Sequence, residues 1–188
     1  MELSDWEAAF PGRILVPGEG SVKARIVMIG EAPGEKEEQL RRPFVGKAGE
    51  NLNEFLRLSG IEREALYITN TVKFRPTEVG KSGKTVNRKP TKAEIEAFKP
   101  FLMKELNEIR PLCVVTLGNV PLGVFVKNAA IGEVHGRFLE AEGFRLYPMY
   151  HPASVIYNRS LRETYLKDVT LFGEWMRSEL LRPGAEDR

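Results

Sequence analysis

The sequence predicts an α/β domain of three layers, α/β/α, around a central four-stranded, mainly parallel sheet. Three observations lead there. Four short apolar runs, at residues 24–31, 66–72, 112–118 and 145–150, alternate with segments of helical periodicity. The first and third runs are almost continuously apolar, as strands buried on both faces of a parallel sheet must be. Two runs end in a turn bearing a reactive side chain, Glu31 after Gly30 and His151 after Tyr150. The carboxyl ends of strands are where open α/β sheets place their sites.

The elements between the strands follow from spacing and punctuation. Residues 50–58 carry Leu52, Phe55 and Leu56 at helical spacing and stop at Gly60. Thr91-Lys-Ala-Glu94 reads as a capping box opening a helix with Ile95, Phe98, Leu102, Leu106 and Ile109 on one face, ended by Pro111. Ser160-Leu-Arg-Glu163 reads as a second box, before a long helix with Leu161, Tyr165, Val169, Phe172, Met176 and Leu180 inward. Residues 77–89, rich in Gly, Lys and polar side chains, form the longest predicted loop, of a length often functional or mobile. His135, in Glu-Val-His-Gly-Arg, reads as a structural hairpin residue.

The 188 residues suit one domain, 1–188, with 42% apolar and 29% charged side chains, as in an ordinary globular protein. No apolar stretch approaches the roughly eighteen residues of a membrane span, and the acidic start Met1-Glu-Leu-Ser-Asp5 is unlike a leader, so the cytoplasm is expected. The single Cys113, inside Cys-Val-Val-Thr-Leu, reads as a buried strand residue, which leaves no disulfide framework and no thiolate metal cage. Net charge is +2, but from Lys73 to Lys92 seven basic residues face one acid, Glu78. That excess suits a phosphate backbone; a solvated loop would carry it equally well.

Five motifs then stand in order: Gly30-Glu-Ala-Pro-Gly34, Pro43-Phe-Val-Gly-Lys-Ala-Gly49, Ile68-Thr-Asn-Thr-Val-Lys73, Asn87-Arg-Lys-Pro90 and His151-Pro-Ala153. In this order and rough spacing they resemble the uracil-DNA glycosylase superfamily, above all its thermophile-type, fourth family. That family holds an iron–sulfur cluster on four cysteines. Here two of those positions fall at Phe74 and Phe98, and the N-terminal pair falls near Trp6 and Phe10. Rings cannot ligate a cluster. The expectation is therefore no metal and no cofactor, with an aromatic plug of Phe74, Phe98 and Phe10 or Trp6 in the vacated volume.

The resemblance implies an activity and roles. The activity is removal of uracil from DNA by hydrolysis of its N-glycosidic bond, after the nucleotide is flipped out of the duplex. Glu31 would orient or activate the water and face the oxocarbenium-like sugar; His151 would donate a hydrogen bond to uracil O2 as the base leaves. Ala32, Glu37, Phe44, Asn70 and Asn87 are the expected substrate-binding positions. Phe44 would stack on the base, and the Asn70 amide, donor and acceptor at once, matches the O4 and N3–H edge of uracil and mismatches cytosine. Glu37 and Glu38 also sit where a helix's first turn favours acids. Ser154, Ile156, Tyr157, Lys84 and Arg88 are expected on DNA, with Ile156 or Tyr157 as an apolar wedge. The family has Arg where this chain has Tyr157. No lysine stands in the strand-end motifs of Glu31 and His151, Gly30–Gly34 and His151–Ala153, which disfavours Schiff-base chemistry. The implied partner is uracil-containing DNA and the implied state a monomer. Two alternatives remain: a glycosylase for another deaminated base, hypoxanthine or xanthine, and a DNA-binding member with little turnover.

Overall fold

Strand β2 (Ile26–Gly30) is buried along its whole length, and its alternation divides the core in two. Ile26 and Met28 point into one apolar cluster, Val27 and Ile29 into another. The computed structural model describes residue 8 and residues 10–180, with Leu180 described by its backbone alone. The first cluster is roofed by helices α2 (Lys47–Ser59) and α7 (Leu161–Leu180), which supply Leu52, Phe55, Leu56, Tyr165, Val169 and Phe172. The second is roofed by α3 (Lys92–Ile109) and α4 (Asn119–Phe125), through Leu102, Leu106, Ile109, Val124 and Phe125. Each side chain of this size contributes roughly 1.5–3 kcal/mol when buried, so the two faces make a three-layer fold self-supporting. The Thr91 capping box is present: Thr91 Oγ1 accepts from Glu94 N at 3.2 Å, and Glu94 Oε2 accepts from Thr91 N at 2.7 Å.

The sheet runs β1 (Glu19–Gly20), β3 (Leu66–Asn70), β2, β6 (Cys113–Leu117), β8 (Phe144–Met149), β7 (Leu139–Ala141). The four predicted strands are its parallel centre. Two antiparallel edge strands make it six-stranded rather than four-stranded. Both are only two or three residues long, too short for a periodicity to betray them. From β2 the chain crosses by α1 (Glu35–Leu40) and α2 to β3 on one side, then by α3 to β6 on the other. The reversal opens a crevice at the carboxyl end of β2, where this class of sheet binds ligands. Register brings Gly30 beside Asn70 and Leu117 beside Met149, so the motif-bearing ends line up.

Three expectations need correction. Residues 77–89 are not an open loop: β4 (Thr77–Val79) and β5 (Thr85–Asn87) pair as a hairpin. Its turn closes by Gly80 N–Lys84 O and Gly83 N–Gly80 O bonds, with Gly83 left-handed at φ +75°. His135 is no hairpin residue; it follows the short helix α5 (Ile131–Val134) and places Nδ1 2.7 Å from Asp168 Oδ2. Lys73 does not belong to the basic surface. It is fully buried, 2.7 Å from Glu105 Oε2 and bonded to Thr69 Oγ1, while Tyr67 Oη donates to Glu105 Oε1 at 2.6 Å. Burial pulls the Lys73 ammonium below its usual range, and the Glu105 carboxylate opposes the shift.

Candidate active site

Gly30 lacks a side chain where two others converge. A Cβ there would lie 2.5 Å from Asn70 Oδ1 and 2.5 Å from Cζ of Phe44. The amide at the end of β3 and the ring of the 43–46 loop therefore meet over the last residue of β2. The Phe44 ring is also partly stacked on His151, with centroids 5.9 Å apart and planes inclined by 30°. His151 follows β8 and packs its Cβ against Gly118, at the end of β6. All four parallel strand ends thus contribute to one place. Asn70 is buried, and among the described residues its amide makes no hydrogen bond to the protein.

Phe44 is held in an unusual backbone conformation, φ +53°, which costs a residue with a Cβ roughly 1–3 kcal/mol. Glu37 offsets it. Its Oε1 accepts from Val45 N at 2.9 Å and Gly46 N at 2.7 Å, and its Oε2 accepts from Gly34 N at 3.1 Å. One buried carboxylate in α1 thereby fastens the Phe44 loop to the turn that carries Glu31. Both its oxygens accept from the backbone, so Glu37, expected at the substrate, also positions these two segments. The Phe44 carbonyl in turn packs against Gly49, leaving no room there for a side chain.

Glu31 is half-buried, and burial raises its pKa; the charge of Lys89 opposes the rise. Its carbonyl accepts from Val72 N at 3.1 Å, and Gly30 O accepts from Thr71 N and Thr71 Oγ1, both at 2.9 Å. The turn is therefore stitched to the segment after β3. Ala32 is partly buried and packs against the cluster of Leu15, Val72, Phe74 and Phe98.

His151 is the N-cap of α6 (Pro152–Tyr157), and its Nδ1 accepts from Ala153 N at 3.1 Å. An accepting Nδ1 puts the proton on Nε2, leaving an N–H donor at the far side of the ring. Burial pushes the pKa down to about 4, against the pull of the Glu37 carboxylate, so the imidazole is neutral at pH 7. Asn51 of α2 donates to Pro152 O at 3.1 Å and steadies this loop, a contact that no sequence signal announced. Ser154 gives its N–H to His151 O, while Ile156 and Tyr157 are exposed, Tyr157 by 89%.

The hairpin base lies against the Glu31 turn. Asn87 accepts from Arg75 Nε at 2.6 Å, and its Nδ2 lies 3.6 Å from where a Gly34 Cβ would be. Arg88, expected on DNA, is instead engaged inside the protein. It makes a two-pronged pair with Glu94, at 2.7 and 2.6 Å, and donates to Thr77 O and Lys89 O. That partnership holds the Glu94 carboxyl down at about 2. Lys84 sits in the exposed turn of the hairpin, and Lys89, not singled out from sequence, is the lysine whose charge Glu31 feels.

A family model described as the uracil DNA glycosylase superfamily matches residues 17–175. The chain belongs to this superfamily. The type-4 uracil-DNA glycosylase of Thermotoga maritima is 40% identical to it over 170 residues, spanning 88% of this chain and 84% of that protein. The type-4 uracil-DNA glycosylase of Archaeoglobus fulgidus is 40% identical over 169 residues, spanning 85% and 80%. The crystal structure of wild-type SMUG2 from Pedobacter heparinus aligns with a TM-score of 0.57 at 15% identity, over 82% of this chain and 77% of that one, a likeness of fold. For this superfamily member the cluster positions of the fourth family can be tested against side chains. Phe10 stacks on Phe98 with centroids 3.9 Å apart and planes 11° apart. Phe74 lies 5.7 Å from Phe98, and the Arg13 guanidinium sits 4.4 Å over the Phe74 ring. Rings offer no ligand to iron, and Cys113 is buried in β6, so these residues do not fit a cluster. Trp6, the other candidate for the plug, lies outside the described residues. Among the described residues no helix is long and apolar enough to cross a membrane.

Proposed function

We propose that this protein removes uracil from DNA as a monofunctional N-glycosylase, hydrolysing the C1′–N1 bond of a flipped deoxyuridine without a metal or cofactor. The observation that carries this reading is the neutral His151 with Nε2–H free, set beside the Phe44 ring and the Asn70 amide at one strand-end crevice. Phe44 stacks on the uracil ring. The Asn70 amide takes the N3–H and gives to O4; against cytosine its N–H meets an amine, and a buried mismatch of that kind is costly. As C1′–N1 breaks, positive charge spreads over the sugar and negative charge over the base. The carboxylate of Glu31 faces the first and directs a water at C1′; the Nε2–H of His151 meets the second at O2. The water oxygen bonds to C1′, its proton passes to Glu31, and uracil departs as an anion that solvent later protonates. A neutral donor suffices, which is why a histidine held well below its usual pKa is suited to the task.

The partner is uracil-containing DNA, the working form a monomer, and the compartment the cytoplasm. The aromatic plug stands in for the iron–sulfur cluster as the tie between the N-terminal segment, residues 72–74 and α3. Single- and double-stranded oligonucleotides carrying uracil, hypoxanthine or xanthine, treated with protein and then alkali, test the substrate. Strand scission at uracil alone is the expected result. Scission only at a purine analogue transfers the reading to that base, and tight binding with no scission makes the protein a binder.

A further inference from the structure

The β4–β5 hairpin is an arm with a fixed base and an unsatisfied tip. At the base, Arg75 ties Asn87 to the α1 carboxylates, lying 3.5 Å from Glu35 and 3.7 Å from Glu38. Arg88 binds Glu94 at the start of α3 and reaches back to Thr77 O across the hairpin. The first anchor adjoins the Gly30–Gly34 turn, which ties the arm to the segment that carries Glu31. The tip differs in kind. Lys81 and Lys84 at the turn, and Lys89 two residues past β5, are exposed, and among the described residues none of their ammonium groups makes an ion pair or hydrogen bond. Cross-strand partners share a face, so Val79 and Thr85 lie on the Asn87 side, the side turned to the site. Val79 is 77% exposed there with nothing packed on it.

We propose that this hairpin is a DNA-backbone clamp, in which Lys81, Lys84 and Lys89 hold phosphates flanking the flipped nucleotide while Val79 lies against the sugar edge. This rests on the proposed uracil excision. The charge of the three lysines is complementary to one partner above others, a closely spaced line of phosphates. The reach fits as well. From Thr77 to the turn is about four residues, or roughly 13 Å, the rise of about four nucleotides of one strand. Lys89 lies two residues past Asn87, whose Nδ2 is 3.6 Å from where a Gly34 Cβ would be, so its phosphate falls on the side of the Glu31 turn.

The test is the salt dependence of binding and of kcat/KM on a 20-base-pair uracil duplex. Wild type is compared with Lys81→Gln/Lys84→Gln/Lys89→Gln and with Lys23→Gln, which removes an exposed lysine before β2, at the opposite end of that strand from Gly30. Three lost phosphate contacts should flatten the log–log slope by about two to three, so that fourfold more salt costs wild type about 40-fold more than the triple variant. On a trinucleotide substrate, too short to reach the tip, wild type and Lys81→Gln/Lys84→Gln should converge. A triple-variant slope equal to that of Lys23→Gln overturns the proposal, and so does an undiminished gap on the trinucleotide. Binding to the same duplex without uracil separates the two readings. If wild type releases no uracil, the proposed function fails, and the binding slopes still decide the clamp.

Discussion

Glu37 is the residue whose replacement tests how the site is held. In Glu37→Gln one of two oxygens becomes an NH2 group facing backbone N–H donors. With the remaining oxygen toward Val45 and Gly46, the bond to Gly34 is lost and the other two lose their charge. Charge-assisted bonds of this kind contribute roughly 1.5–3 kcal/mol each, so the variant should lose about 2–4 kcal/mol of stability. The consequence for activity is larger than a surface change would give. Phe44 is free to leave its left-handed conformation, and a displacement of about 1 Å in such a group costs about 10²-fold in rate. Denaturant midpoints and kcat/KM for uracil release on the same preparation give both numbers. The pH profile gives the control. Glu37 raises the His151 pKa, so its neutralisation sends that value lower still and leaves the imidazole neutral at working pH. The acid limb, set by Glu31, should keep its shape. Lost stability with kcat/KM within about threefold of wild type would refute the positioning role; a vanished acid limb would make Glu37 the base instead.

Other outcomes follow from the same geometry. Glu31 has a raised pKa, so the ionised form is scarcer in the fold and the acid limb of kcat/KM should lie above that of a free glutamate; Lys89→Gln should move it higher, because the opposing charge is gone. His151 binds its proton less readily folded than unfolded, with a pKa of about 4 against about 6.5. Its contribution to stability is therefore complete above about pH 6.5 and lost as pH falls to about 4, on the order of 3 kcal/mol, and His151→Asn should flatten that part of the denaturation profile. Phe98 is fully buried in the aromatic plug, so Phe98→Ala should cost about 3–5 kcal/mol by chemical denaturation; stoichiometric iron in the purified protein would refute the plug. Lys73→Met leaves Glu105 buried without its cation and should cost about 3–5 kcal/mol, much of it restored by adding Glu105→Leu.

The parallel centre of the sheet was legible because two-sided burial leaves an unbroken apolar signature in Ile26–Ile29 and Cys113–Val115. The edge strands and the hairpin were not, since Glu19–Gly20 and Thr77–Val79 gain their structure from backbone pairing alone. At the site, the strand-end positions of Glu31, Asn70 and His151 could be read from where apolar runs stop. What each side chain does with its hydrogen bonds could not. Glu37 and Arg88 have the residue types of binding groups, yet tertiary neighbours nine and six residues away in sequence take up their capacity. Lys73 looked like surface charge because its partner, Glu105, is 32 residues off on another element. Lys89 stood in a motif but lacked a role until folding set it near Glu31.

Single-turnover release of uracil from a defined duplex at pH 7 decides whether the strand ends form one catalytic centre. Wild type should leave an abasic site, and Glu31→Gln and His151→Ala should each slow release by about 10²–10³-fold while DNA binding persists, because each removes a charge-stabilising group from the same bond. Release by both variants at the wild-type rate would contradict the account.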